Sequence, residues 1–145
     1  MSSGTELVGG RLIGEEVGYA EITSDSAGWT TSETVAIEME ADLIDGVSYW
    51  LILDASYATS VDGDVQFVRI REDDVNGDAV HSSRAVVQDG GGVRVHVERR
   101  YDATVTETKT FVATGERESG SGTGRIDANA TTPSYLRAVV RKPTV

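Results

Sequence analysis

Three observations predict an all-β chain, an antiparallel β-sandwich or jelly-roll-like fold of about eight to nine strands. Apolar and polar residues alternate at period two over long stretches. Turn dipeptides recur about every 10–15 residues. No stretch gathers its apolar residues on one face of a helix.

The 145 residues suffice for one domain that folds without staples. Residues 1–10 are polar and glycine-containing, which predicts a flexible N-terminal arm. A single sandwich domain over 11–145 follows, with a first strand near 16–23. From Thr34, Val35, Ile37, Met39, Ala41 and Leu43 alternate with Ala36, Glu38, Glu40 and Asp42, which is a half-buried strand. Asp45-Gly46 signals a hairpin. In the next strand Tyr49, Leu51, Leu53, Ala55 and Tyr57 share one face, and Trp50, Ile52, Asp54 and Ser56 the other. Being apolar on both faces near its start, this strand is central, or its outer face meets a neighbour.

Asp62-Gly63-Asp64 turns the chain into a strand over 65–72, with Val68 and Ile70 on one face and Phe67, Arg69 and Arg71 opposite. The acidic segment 73–78 is expected to turn tightly at Asn76-Gly77. A return strand covers 79–88. After Gly90-Gly91-Gly92, Val93, Val95 and Val97 alternate with Arg94, His96 and Glu98, and Tyr101 continues the apolar face. The chain closes with a strand over 108–115, a flexible Gly/Ser loop over 119–124, a segment over 125–130, a turn at Thr132-Pro133 and a last strand over 135–140.

Composition narrows the function. The net charge is −11, and an acidic surface repels phosphate, so nucleic acid is not an expected partner. No apolar run approaches the roughly 20 residues of a membrane span, so no membrane insertion is expected. The N-terminal residues lack the basic and apolar regions of a signal peptide. There is no cysteine, which removes disulfides, thiolate metal sites and cysteine nucleophiles. Residues 1–80 hold 17 acids and 3 bases, residues 81–145 hold 7 and 10. Interleaved strands would average this out; otherwise the subunit carries complementary faces suited to packing against copies of itself.

Few motifs carry chemistry. Asp74-x-Asn76-Gly77 overlaps a calcium loop, but Ser83 stands where a bidentate glutamate is needed, so a solubilising hairpin is expected and metal ligands are not assigned. A surface Ca²⁺ site with Asp62 and Asp64 is the lesser reading. His81 and His96 are the only histidines, and their spacing selects no metal. No nucleophile elbow exists, and no catalytic or cofactor-binding residue is assigned. A hydrolase would need two carboxylates facing each other in a cleft. Asn129-Ala130-Thr131 matches a glycosylation sequon by chance. Trp29, Trp50, Tyr49 and Tyr57 could form a sugar-stacking platform, although strand aromatics are usually core. Trp29 sits in the polar loop 26–32, so it either caps the core or contacts a partner or glycan.

Four runs together resemble a known group. They are Phe67-Val68-Arg69-Ile70-Arg71-Glu72-Asp73-Asp74-Val75-Asn76-Gly77, then Thr110-Phe111-Val112-Ala113-Thr114-Gly115-Glu116-Arg117, then Ser119-Gly120-Ser121-Gly122-Thr123, and Ala128-Asn129-Ala130-Thr131-Thr132-Pro133-Ser134-Tyr135-Leu136. Their order over residues 17–141 is similar to small β-sandwich virion structural proteins, minor tail or capsid-associated, of tailed phages infecting GC-rich actinobacteria. The resemblance implies a non-enzymatic protein without cofactors on the outside of the virion, as a minor tail component or capsid decoration protein. It implies assembly in the host bacterial cytoplasm and partners that are other virion proteins and further copies of the chain, as a homotrimer. The rival class is a carbohydrate-binding adhesion module that recognises host cell-surface glycan, with Trp29 as its first candidate contact.

Overall fold

The computed structural model describes residues 7–8, 11–88 and 92–143. Of the arm expected over 1–10, only β1 (Leu7–Val8) is described; it pairs with β2 (Arg11–Leu12), and the remainder lies outside the described residues. Nine further strands form one antiparallel sheet: β3 (Glu16–Ile22), β4 (Thr34–Leu43), β5 (Val47–Thr59), β6 (Val65–Glu72), β7 (Ala79–Val86), β8 (Val93–Asp102), β9 (Glu107–Ser119), β10 (Gly124–Asp127) and β11 (Ser134–Pro143). The all-β expectation holds, and the described residues contain no helix.

The sheet folds over on itself. One layer has β5 at its centre, with β8 on one side and β11 followed by β10 on the other, and β3 beyond β11. The second layer runs β4, β9, β6, β7. A single pair, Gly18 with Ala41, joins the layers between β3 and β4. A Cβ at Gly18 would stand 2.7 Å from the Glu40 carbonyl oxygen, so only glycine lets the strands approach there.

Period two explains the core. Tyr49, Leu51, Leu53, Ala55 and Tyr57 of β5 are fully buried, opposite Met39, Val68, Ile70 and Phe111. Full burial of each large side chain contributes about 1.5–3 kcal/mol. Aromatic contacts tie the layers: Tyr101 meets Phe111 edge-on at 5.0 Å, and the Tyr57 hydroxyl donates to the Thr114 carbonyl at 2.9 Å.

Two turns differ from expectation. The connection over 73–78 is a six-residue loop, and its positive-φ residue is Asp73 (φ 68°), not Asn76 or Gly77. Gly77 is needed for space, since a Cβ would lie 1.6 Å from the Glu72 carbonyl oxygen. The Gly/Ser loop expected to be flexible is clamped. Asp64, 1% exposed, accepts the Thr59 hydroxyl at 2.7 Å and the amides of Ser121 and Gly122 at 3.1 and 2.8 Å. Burial pushes its carboxyl up, but these bonds outweigh it and hold it below the usual carboxylate range.

Candidate functional site

The residue singled out in the sequence is not on the surface. Trp29 is 3% exposed and belongs to the core. Its indole N–H donates to Gln66 Oε1 at 2.6 Å, and its ring leans on Tyr57 at 5.9 Å. Gly115 and Gly124 make the slot: a Cβ on either would stand 2.1 or 2.3 Å from the ring. The surrounding loop is pinned by Trp29 and Gly124 exchanging backbone bonds and by Glu33, which binds Arg69, Arg71 and the Thr114 hydroxyl. Trp29 therefore caps the core and offers no face to a partner or glycan. Tyr49 and Tyr57 are likewise buried, so of the four proposed platform residues only Trp50 faces outward.

The outward face of the layer β8-β5-β11-β3 is the candidate site. Strand register sets its side chains in rows. One row runs Glu16, Val139, Trp50, Arg100, and the next Tyr19, Arg137, Ile52, Glu98. The third runs Glu21, Tyr135, Asp54, His96, and Ser56 with Arg94 closes that end. Trp50 and Ile52, both half-buried, form an apolar centre beside buried Val139, with the Arg141 guanidinium 5.1 Å from the Trp50 ring centroid. Tyr19, 46% exposed, stacks on Tyr135 with centroids 5.8 Å apart and planes 24° apart. Both tyrosines escaped the sequence reading. The signal was there, because each is an aromatic on the polar phase of a strand.

Charges on this face cancel. Glu16, Glu21, Asp54 and Glu98 stand among Arg94, Arg100, Arg137 and Arg141. Asp54 is the hub: Arg94 Nε donates to it, His96 Nδ1 lies at 3.1 Å and the Tyr135 hydroxyl at 3.4 Å. Partial burial pushes the Asp54 carboxyl up, but the bonds from His96 and Arg94 prevail and hold it below the usual range. His96 is raised above the ordinary imidazole value by its bonds to Asp54 and Glu98.

Other charges are spent differently. Glu38, Glu40 and Asp42 form an exposed acidic column on β4. Acids of the first half pair with bases of the second, as in Glu16–Arg137, Asp54–Arg94 and Glu72–Lys109. The charge asymmetry along the chain is thus interleaved rather than split into two faces. His81 points the other way from His96: it pairs in register with buried Ile70, and burial lowers it below the ordinary value. Among the described residues no three acidic or histidine side chains group to hold a metal ion, and Asp64 is committed to its loop.

No family profile matches the chain, and no curated protein sequence does. Solved structures are similar in architecture at low identity. The VP2 subviral particle of infectious bursal disease virus matches at 12% identity and TM-score 0.48, over 92% of this chain and 39% of that one. The CBM22-1 xylan-binding domain of Paenibacillus barcinonensis Xyn10C matches at 8% identity and TM-score 0.44, over 90% and 97%. A CBM4 structure matches at 13% identity and TM-score 0.39, over 85% and 71%. The class defined here is an antiparallel β-sandwich with one charge-balanced, apolar-centred face.

Proposed function

We propose that the chain is a non-enzymatic structural subunit on the outside of a tailed-phage virion, a minor tail component or capsid decoration protein. Copies meet through the outward face of β8-β5-β11-β3. One observation carries this reading: a chain of net charge −11 keeps a neutral patch at whose centre Trp50 and Ile52 stand half-buried. Copies of an acidic protein repel each other, so association favours the face where acids and arginines cancel and apolar surface can be buried. The arginines also fit the rim, since their planar heads pair with carboxylates across a contact.

The motif order, which resembles that of small virion proteins, supports the placement. A ring of three would bury this face against a different surface of the next copy. The other paired polar groups, Asp64 and Glu33 among them, hold loops in place, which suits a part built for rigidity. Light scattering over a range of concentration and salt tests the reading. The expected result is a homo-oligomer that persists at high salt, because apolar burial is not screened. A monomer throughout, with no association on a virion scaffold, would count against it. The adhesion reading draws on an adjoining part of the same face, where Tyr19 stacks on Tyr135.

A further inference from the structure

Beyond Ser56 the outward face drops into a polar pocket of about 360 Å³. It is lined by Asp25, Ser56, Arg125, Asp127, Asn129 and Thr132. β10 supplies Arg125 and Asp127, β5 supplies Ser56, and the turn before β11 supplies Asn129 and Thr132.

These side chains are held from below. Arg125 Nε donates to Asp127 Oδ1 at 2.6 Å, and Asp25 Oδ1 accepts the Ala128 amide at 3.1 Å. Asn129 Oδ1 accepts the Thr131 amide and hydroxyl at 2.9 and 2.7 Å and the Thr132 amide at 2.9 Å. That network fixes which end of the Asn129 amide is oxygen and leaves Nδ2 as a donor with no partner among the described residues. Thr132 Oγ1 is in the same position. The pocket thus gathers carboxylate acceptors, amide and guanidinium donors and two hydroxyls.

This composition selects the ligand. Asp25 and Asp127 stand against Arg125, and Arg94, which donates to Ser56 Oγ at 3.2 Å, is itself paired with Asp54, so the balance stays negative and disfavours a phosphate or an acid. Arg125, 2.6 Å from Asp127 and 3.9 Å from Asp25, takes the place a divalent cation would need. A neutral group that both donates and accepts fits, and a sugar hydroxyl is such a group. The aromatic surface lies within reach. Tyr135 is cross-strand from Asp54, two residues along β5 from Ser56, which is about 7 Å at the strand rise. Tyr135 carries Tyr19 stacked beside it, and an aromatic ring offers an apolar plane to the C–H face of a pyranose.

We propose that this pocket and the Tyr19–Tyr135 pair form a binding site for a neutral oligosaccharide. One sugar ring enters the pocket through its hydroxyls, and the adjoining ring lies against the tyrosines. The site shares this face with the assembly reading but uses other residues, since Trp50 and Ile52 line no part of the pocket and belong to neither tyrosine.

The test is titration of the ¹⁵N-labelled protein with maltohexaose, cellohexaose, xylohexaose and chitohexaose to millimolar concentration. At least one is expected to shift the amides of Ala128, Asn129 and Thr132 saturably, together with the ring signals of Tyr19 and Tyr135. Tyr19→Ala and Asn129→Ala are each expected to weaken that binding about tenfold, the loss of one stacking or hydrogen-bonding contact. Thr132→Val provides a third variant that leaves the Asn129 turn in place. No saturable shift with any of the four sugars would overturn the proposal. So would shifts that map elsewhere, shifts that survive all three substitutions, or pocket shifts produced by CaCl₂ and by no sugar. Trp50→Ser, two rows away from Tyr135 on the same face, is expected to leave the sugar titration unchanged, so failure of assembly and failure of sugar binding are read separately.

Discussion

The two tryptophans exchange the places their surroundings suggest. Trp29 lies among Ser26, Gly28, Thr30 and Thr31, yet it is 3% exposed and caps the core. Trp50 lies in the most apolar strand of the chain, yet it stands on the outward face under Arg141. Strand period assigns Trp50 correctly, since it alternates with Tyr49 and Leu51. Loop composition says nothing about Trp29, whose burial depends on Gly115 and Gly124, 86 and 95 residues further along. One tryptophan therefore belongs to stability and the other to association, and substitutions should separate them.

The largest effect is expected at the buried one. Trp29→Ala empties the slot and strands the Gln66 carbonyl, which should cost about 3–5 kcal/mol in urea unfolding. A loss under about 1 kcal/mol would mean that Trp29 is mere loop packing.

Next comes the clamp beneath the same end of the sandwich. Asp64→Ala leaves the Thr59 hydroxyl and two amides without their acceptor, at a cost of about 2–3 kcal/mol. Because the folded Asp64 carboxyl lies below its unfolded value, its contribution is present above the usual carboxylate range and lost as pH falls through the depressed value. Acid unfolding followed by circular dichroism should therefore show a shallower pH slope in the variant than in the parent.

Trp50→Ser should change stability by less than about 1 kcal/mol, as an outward-facing substitution does. Its effect should appear in solution mass. Equal destabilisation by Trp50→Ser and Trp29→Ala would erase the distinction between the two.

The smallest effect is expected at His96. Its folded value is raised, so the pair with Asp54 contributes fully below about pH 6.5 and fades as pH rises through the raised value. Melting temperature followed across that window should show a shallow decline that His96→Gln removes.

The legible part of the molecule is the part governed by period two. Strands β4, β5, β6 and β8 carry their inner and outer residues as the alternation requires, and of the two readings open for β5, a central strand is the one the pairing with β8 and β11 bears out. Length was less readable: β9 runs on through Glu116 and Arg117, whose polarity hides the strand, because there they pair with Phe67 and Gln66 of β6. Turn chemistry misled where spacing was long, as at Asn76-Gly77, since the dipeptide alone does not fix the loop length. The Gly/Ser loop looked free because its anchor, Asp64, lies 57 residues away. The candidate face was legible in pieces. Trp50 and Ile52 were placed outward, but Tyr19 and Tyr135 come together only because β3 and β11 are neighbours, and the pairing of chain-distant strands is not written in local pattern.

The most direct test is the solution mass of the parent and of Ile52→Lys, measured by light scattering at matched concentration with circular dichroism to confirm the fold. If the outward face joins copies, the parent is a multiple of 15.5 kDa, with three copies expected, and Ile52→Lys is a folded 15.5 kDa monomer. An oligomer that survives Ile52→Lys unchanged, or a parent that is monomeric at every concentration, would contradict assembly through this face.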